Sequence, residues 1–141
     1  MPSTAEIKQW DCKPYLRAPL LDGAEVPFTV AGGETVAVLF RPVTDITQVL
    51  RATGYVINGL NEYVVAPSGA LVHITQAIEH RWLKTGAGAG YAPWAGGYHT
   101  GLAGFFDQEF EHKDAAGLPR TFPIVGYNSL IVYDDIDVTQ P

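Results

Sequence analysis

Cys12 is the only cysteine in the chain, so an intramolecular disulfide and a cysteine-built zinc site are both excluded. Charge is scarce as well. Charged residues make up 17% of the 141, against about a quarter in an ordinary soluble domain, as expected for a protein with much of its surface covered by partners. The nine lysines and arginines are scattered and the formal net charge is -6. That balance speaks against nucleic acid as a primary ligand, because neutralising phosphates takes clustered cations. No run of eighteen apolar residues occurs, so no membrane-spanning helix is expected. The opening MPSTAEIKQWDCKPYLRAPLL has no basic stretch followed by an apolar one, so no signal peptide is expected. The location this suggests is a virion or, failing a viral origin, the cytoplasm.

Catalytic motifs are missing too. Ser3, Ser68 and Ser129 lie in no G-x-S-x-G elbow, and Cys12 has no base near it in sequence. The four histidines, His73, His80, His99 and His112, show no HxH or HExxH spacing, and neighbours such as Glu79 and His80 point to opposite faces of a strand. The glycines of GAGAGY at 86–91 match neither nucleotide-loop pattern, and no helical pattern follows them. Neither a cofactor nor a metal is expected. The alternating carboxylates Asp107, Glu109 and Glu111 would sit on one strand face about 7 Å apart, solvated, bridged by a cation, or neutralised by Arg120 or Lys113.

What the chain does have is an uncharged stretch from Thr85 to Phe106, TGAGAGYAPWAGGYHTGLAGFF. Its glycines oppose helix and regular strand. Its aromatics, each able to bury about 150–250 Å², oppose simple disorder. A loop of this length is uncommon in a compact domain and is expected to dock on its own domain or on a neighbouring subunit, or to serve as a ligand-binding lid.

Around it the chain reads as one mainly β domain, an antiparallel β-sandwich or β-barrel. Residues 1–34, punctuated by proline and glycine, read as an extended N-terminal arm carrying Trp10 and Tyr15. Residues 35–141 form the β domain, including the loop at 85–104. TVAVLF at 35–40 reads as a strand buried on both faces, and 45–53 is open between helix and strand, with strand favoured. Asn58-Gly59 between GYVI and LNEYVV predicts a type I′ hairpin, and Ala66-Pro67-Ser68-Gly69 a second turn before ALVHITQAI. Three meandering strands result, and the sheet is expected to deliver the loop from its edge. FFDQEFEHK at 105–113 alternates, with Phe106, Gln108, Phe110 and His112 on one face. A turn at 114–117 and one or two strands over 120–138, broken at Gly126 or Asn128, complete the chain.

These observations point away from an enzyme and toward a structural or assembly protein, with a bacteriophage-like capsid, decoration or tail component as the expected role. Its expected partners are copies of itself or other shell proteins, as a homo-oligomer without nucleic acid or membrane. The expected interface residues are Trp10, Tyr15, Trp82, Tyr91, Trp94, Tyr98, Phe105 and Phe106. Two other classes compete. A carbohydrate or small-ligand module would stack on Trp82, Tyr91, Trp94, Tyr98 and His99, and a small metal-dependent β-barrel enzyme would use the histidines.

Overall fold

A computed structural model describes residues 4–11, 14–66, 68–82, 100, 103–124 and 126–134. Among the described residues there is no helix. Nine strands form two sheets: β1 (Thr4–Lys8), β2 (Leu16–Ala18), β3 (Thr35–Pro42), β4 (Leu50–Thr53), β5 (Tyr55–Val65), β6 (Leu71–His80), β7 (Gly104–Lys113), β8 (Pro119–Phe122) and β9 (Asn128–Tyr133). The larger sheet runs β1-β9-β7-β3-β4, with β8 also on β7, and the smaller runs β2-β6-β5. The fold is a mainly β sandwich and not a closed barrel. Pairing is antiparallel except for β1 on β9.

The core lies between the sheets. Val36, Val38, Phe40, Leu50, Phe106, Phe110, Leu130 and Val132 of the larger sheet meet Ile78 of the smaller one and Trp82 just beyond its end. Residues 4–34 place one strand in each sheet and add Ile7, Leu20 and Val30 to that core. Two chain crossings bind the sheets at their margins. At one side β4 passes into β5 through Gly54 alone, and at the other β1 leads to β2. Strands that switch sheets in this way form the corners of a sandwich.

Along β7 the alternation is as expected: Phe106, Gln108, Phe110 and His112 are buried and the carboxylates face outward. The 114–117 turn also forms, with the Asp114 side chain accepting the amides of Ala116 and Leu118. Strands β8 and β9 are separated at 123–127.

Four local expectations change. The Asn58-Gly59 hairpin is absent. GYVI and LNEYVV are one strand, β5, whose register against β6 slips between Asn58 and Glu62, so four steps on β5 match two on β6. A type I′ turn needs positive φ at both central residues, and only Gly59, at φ 74, has it. Gln76 holds the bulge in place, its amide donating to Asn58 Oδ1 while its carbonyl accepts the amide of Val30. The meander therefore shortens to the β5–β6 hairpin, closed at Ala66–Ala70. Second, β6, the strand that precedes the glycine-rich stretch in the chain, is the middle strand of its sheet and not an edge; the start of that stretch lies outside the described residues. Third, β3 is fully buried on one face only. Its outer Leu39 is half-covered because Glu109 and Arg51 stand opposite it on either side. Long charged side chains shield apolar neighbours with their stems. Fourth, the segment left open at 45–53 is strand only from Leu50. Before that Asp45 folds a turn, accepting the amide and hydroxyl of Thr47.

Candidate interaction surfaces

The outer face of the larger sheet is built from the side chains that the core rejects. On β7 these are Phe105, Asp107, Glu109 and Glu111, in register with Ile131 and Ser129 of β9 on one side and with Arg41, Leu39 and Ala37 of β3 on the other. Phe105 is 64% exposed and Phe106 only 2%, the one-residue step of a strand. Val43 lies beside Phe105, its amide donating to the Phe105 carbonyl, and its side chain is exposed.

Below this apolar end lies the carboxylate column, and its cations come from within the sheet. Arg41 reaches Asp107 at 2.9 Å and its guanidinium lies 4.8 Å from the centre of the Tyr127 ring. Arg51 reaches Glu111 at 2.7 Å, with Lys113 at 3.9 Å from the same oxygen. The hydrogen bond from Arg51 holds the Glu111 carboxyl below the usual carboxylate range. Between them Glu109 has no ion-pair or hydrogen-bond partner among the described residues. Burial pushes its carboxyl above the usual range, against the pull of Arg41, and the charges of Asp107 and Glu111 add to the rise. A groove of about 400 Å³ opens at the β4 corner between Thr35, Ala37, Arg51, Thr53, Glu111 and Lys113. No aromatic ring lines it, so it provides no platform for stacking a sugar.

The second surface is on the far half of the β5–β6 hairpin. Tyr63 pairs with His73 and Val65 with Leu71. Tyr63, Val65 and Leu71 are 60%, 73% and 68% exposed. The Tyr63 and His73 rings lie 5.0 Å apart. Two polar clamps hold this half in place. Glu25 accepts the amide and hydroxyl of Ser68, and Arg17 of β2 pairs with Glu62 across the intervening β6.

Of the residues expected at an interface, Trp82 and Phe106 belong to the core. The Trp82 indole donates to the Pro14 carbonyl at 2.9 Å and its ring stands edge-on to His80 at 4.5 Å. Neither is open to a partner. Tyr15 is exposed and lines, together with Trp82, Ile7 and Leu130, a slot of about 110 Å³. Trp10 is half-buried, at a positive φ of 69°. Tyr91, Trp94 and Tyr98 lie outside the described residues, as does Cys12. From the glycine-rich stretch Thr100 is buried, with its hydroxyl donating to the Asp11 carbonyl.

The three described histidines do not converge. His73 bonds Asn61 on the hairpin, His112 stands 3.2 Å from Glu34, and His80 lies in the core against Phe40 and Trp82. His99 is outside the described residues. Among the described residues no three metal-ligating side chains come together.

The hairpin surface was missed in the sequence, although a signal was there. YVV at 63–65 and ALV at 70–72 are apolar at both parities, so in a two-layer fold one parity must face outward. Comparison with protein-family models, with curated proteins and with solved structures gives no match. What fold and surfaces define together is a two-sheet β-sandwich with two separate apolar surfaces.

Proposed function

We propose that the chain is a non-enzymatic structural protein that self-associates through the outer face of the β5–β6 hairpin. The role we infer for it is that of a capsid, decoration or tail component of a bacteriophage-like virion, contacting copies of itself and other shell proteins. The observation that carries this reading is the exposure of Tyr63, Val65 and Leu71 side by side on the outermost part of the smaller sheet.

Area supports a second copy as the occupant. With about 150–250 Å² for an aromatic side chain and less for valine or leucine, the exposed parts of these three come to roughly 300–400 Å². A symmetric contact uses that area twice, which approaches the apolar share of a standard interface of about 1,600 Å² in total. The low charge fraction of 17% suits a subunit covered by neighbours.

Light scattering over a concentration series tests this. The expected mass exceeds the 15.3 kDa of one chain and rises with concentration. Tyr63→Ser with Leu71→Ser should return the protein to a monomer with its melting temperature kept. A wild-type monomer at every concentration, or a double variant that associates as before, overturns the proposal.

A further inference from the structure

We propose that the outer face of the larger sheet, from Phe105 to Glu109, receives a segment of a different protein that carries an arginine or lysine and a large apolar side chain. The inference rests on the reading of the chain as an assembly component and adds the chemistry of a second partner.

Three observations meet on this face. Glu109 is a half-buried carboxylate whose two neighbours along β7 are each neutralised by an arginine while it has none among the described residues. A partly desolvated, unpaired charge is costly, and a cation from outside removes that cost. Four residues away on the same face is exposed Phe105, with Ile131 opposite it and Val43 alongside. Tyr127, itself exposed, stacks on Arg41 between these two positions in the sheet. The third observation concerns who can supply the cation. Among the described residues Arg17, Arg41, Arg51, Arg81 and Lys113 are in ion pairs, and Arg120 lies over the Phe28 ring. Only Lys8 of the described cations is uncommitted. A second copy, at a net charge of -6, would bring mainly carboxylates to a face already rich in them. The complementary partner is therefore another, more basic chain.

Geometry sets the spacing. At about 3.3 Å per residue along a strand, Phe105 and Glu109 stand roughly 13 Å apart. An extended partner segment spans that distance with its basic residue four positions from its apolar one.

The probe is a phage-displayed library of linear twelve-residue peptides, selected on the folded wild-type chain. Selected peptides should share an arginine or lysine four residues from a large apolar residue. Glu109→Gln, which removes the charge and keeps the shape, should weaken them about tenfold, and Phe105→Ser should do the same. Their affinity should also fall as salt rises. No binders, binders without the cation, or binders indifferent to Glu109→Gln overturn the inference. Because Glu109 has no described partner, the variant should melt at or above the wild-type temperature, which separates lost recognition from lost folding. The two proposals fail separately. Absence of such peptides with self-association intact removes this one alone, and a monomer that binds them removes only the hairpin contact.

Discussion

Gly54→Ala should destabilise the protein, although most glycine-to-alanine changes at unstrained positions do the reverse. Gly54 is the single residue between β4 and β5, where the chain passes from one sheet to the other, and its amide donates to the Val36 carbonyl at 2.9 Å. A methyl group there would stand 2.7 Å from Ile78 Cγ2, 3.1 Å from the Val36 carbonyl oxygen and 3.3 Å from Val38 Cγ2. None of the three can yield easily. Ile78 and Val38 are fully buried and β-branched, and the oxygen belongs to the backbone of a central strand. Overpacking of this kind costs about 1–3 kcal/mol, which outweighs the roughly 0.4–1 kcal/mol gained from a less flexible unfolded chain. With an unfolding entropy near 2.1 cal/mol/K per residue, each kcal/mol is about 3 °C in a chain of this length. A melt by circular dichroism should therefore fall by several degrees. Gly32, where an added Cβ meets nothing within 4 Å, is the control, and Gly32→Ala should leave the melt unchanged or raise it slightly. If Gly54→Ala melts at or above the wild type, the sheet-to-sheet crossing is looser than described and the argument from close approach is wrong.

Two further outcomes follow from buried polar groups. His80 is almost fully buried, and burial lowers its pKa from the usual 6.5 to about 4. The unfolded chain thus takes up a proton that the folded one refuses. Stability is fully present above about pH 6.5 and declines as pH falls toward 4, by about 2 kcal/mol between pH 7 and pH 5. Denaturant melts at those two pH values should show this loss, and His80→Phe should remove that part of it; an equal loss in the variant would refute the assignment. Gln108 is buried with its carbonyl accepting from Asn128 and its amide nitrogen unpaired among the described residues. Gln108→Leu removes that unpaired donor together with the acceptor of the Asn128 amide, two effects of about 1 kcal/mol that oppose each other, so stability should stay within about 1 kcal/mol of the wild type. A loss of about 2 kcal/mol or more in chemical denaturation would mean that the Gln108 amide is satisfied after all.

The residues show why some of this was legible in sequence. FFDQEFEHK gives its two faces away because charge and aromatic alternate strictly, and burial follows parity along the whole of β7. Parity also explains the misplacement of Phe106. The doublet Phe105-Phe106 offers both faces an aromatic, and only the register of the sheet decides which one is core. Asn58-Gly59 misled because a dipeptide that favours a turn also suits a bulge, and the choice was made at a distance by Gln76 and Val30. The partners of the carboxylates were equally illegible. Arg41 and Arg51 are 66 and 60 residues from Asp107 and Glu111, brought there by the β3–β7 and β3–β4 pairings. The sequence suggested Lys113 and Arg120, of which only Lys113 approaches, as the more distant cation on Glu111.

The way the sandwich closes also determines where partners can bind. Free edges are the usual invitation to another chain, and here the edge strands β4 and β5 are joined to each other across the sheets, as are β1 and β2. The two faces offer apolar area as well. The far half of the β5–β6 hairpin extends past the main core: Ile78 belongs to that core, whereas Ile74, though buried, does not. An isolated two-stranded hairpin is marginal in water, and the Glu25–Ser68 and Arg17–Glu62 contacts tie this half to the rest of the sandwich. Tyr63, Val65 and Leu71 stay exposed all the same. Apolar area that the fold orders but does not use is most simply used by a second copy, and the hairpin variants that abolish association should then leave the sandwich beneath it intact.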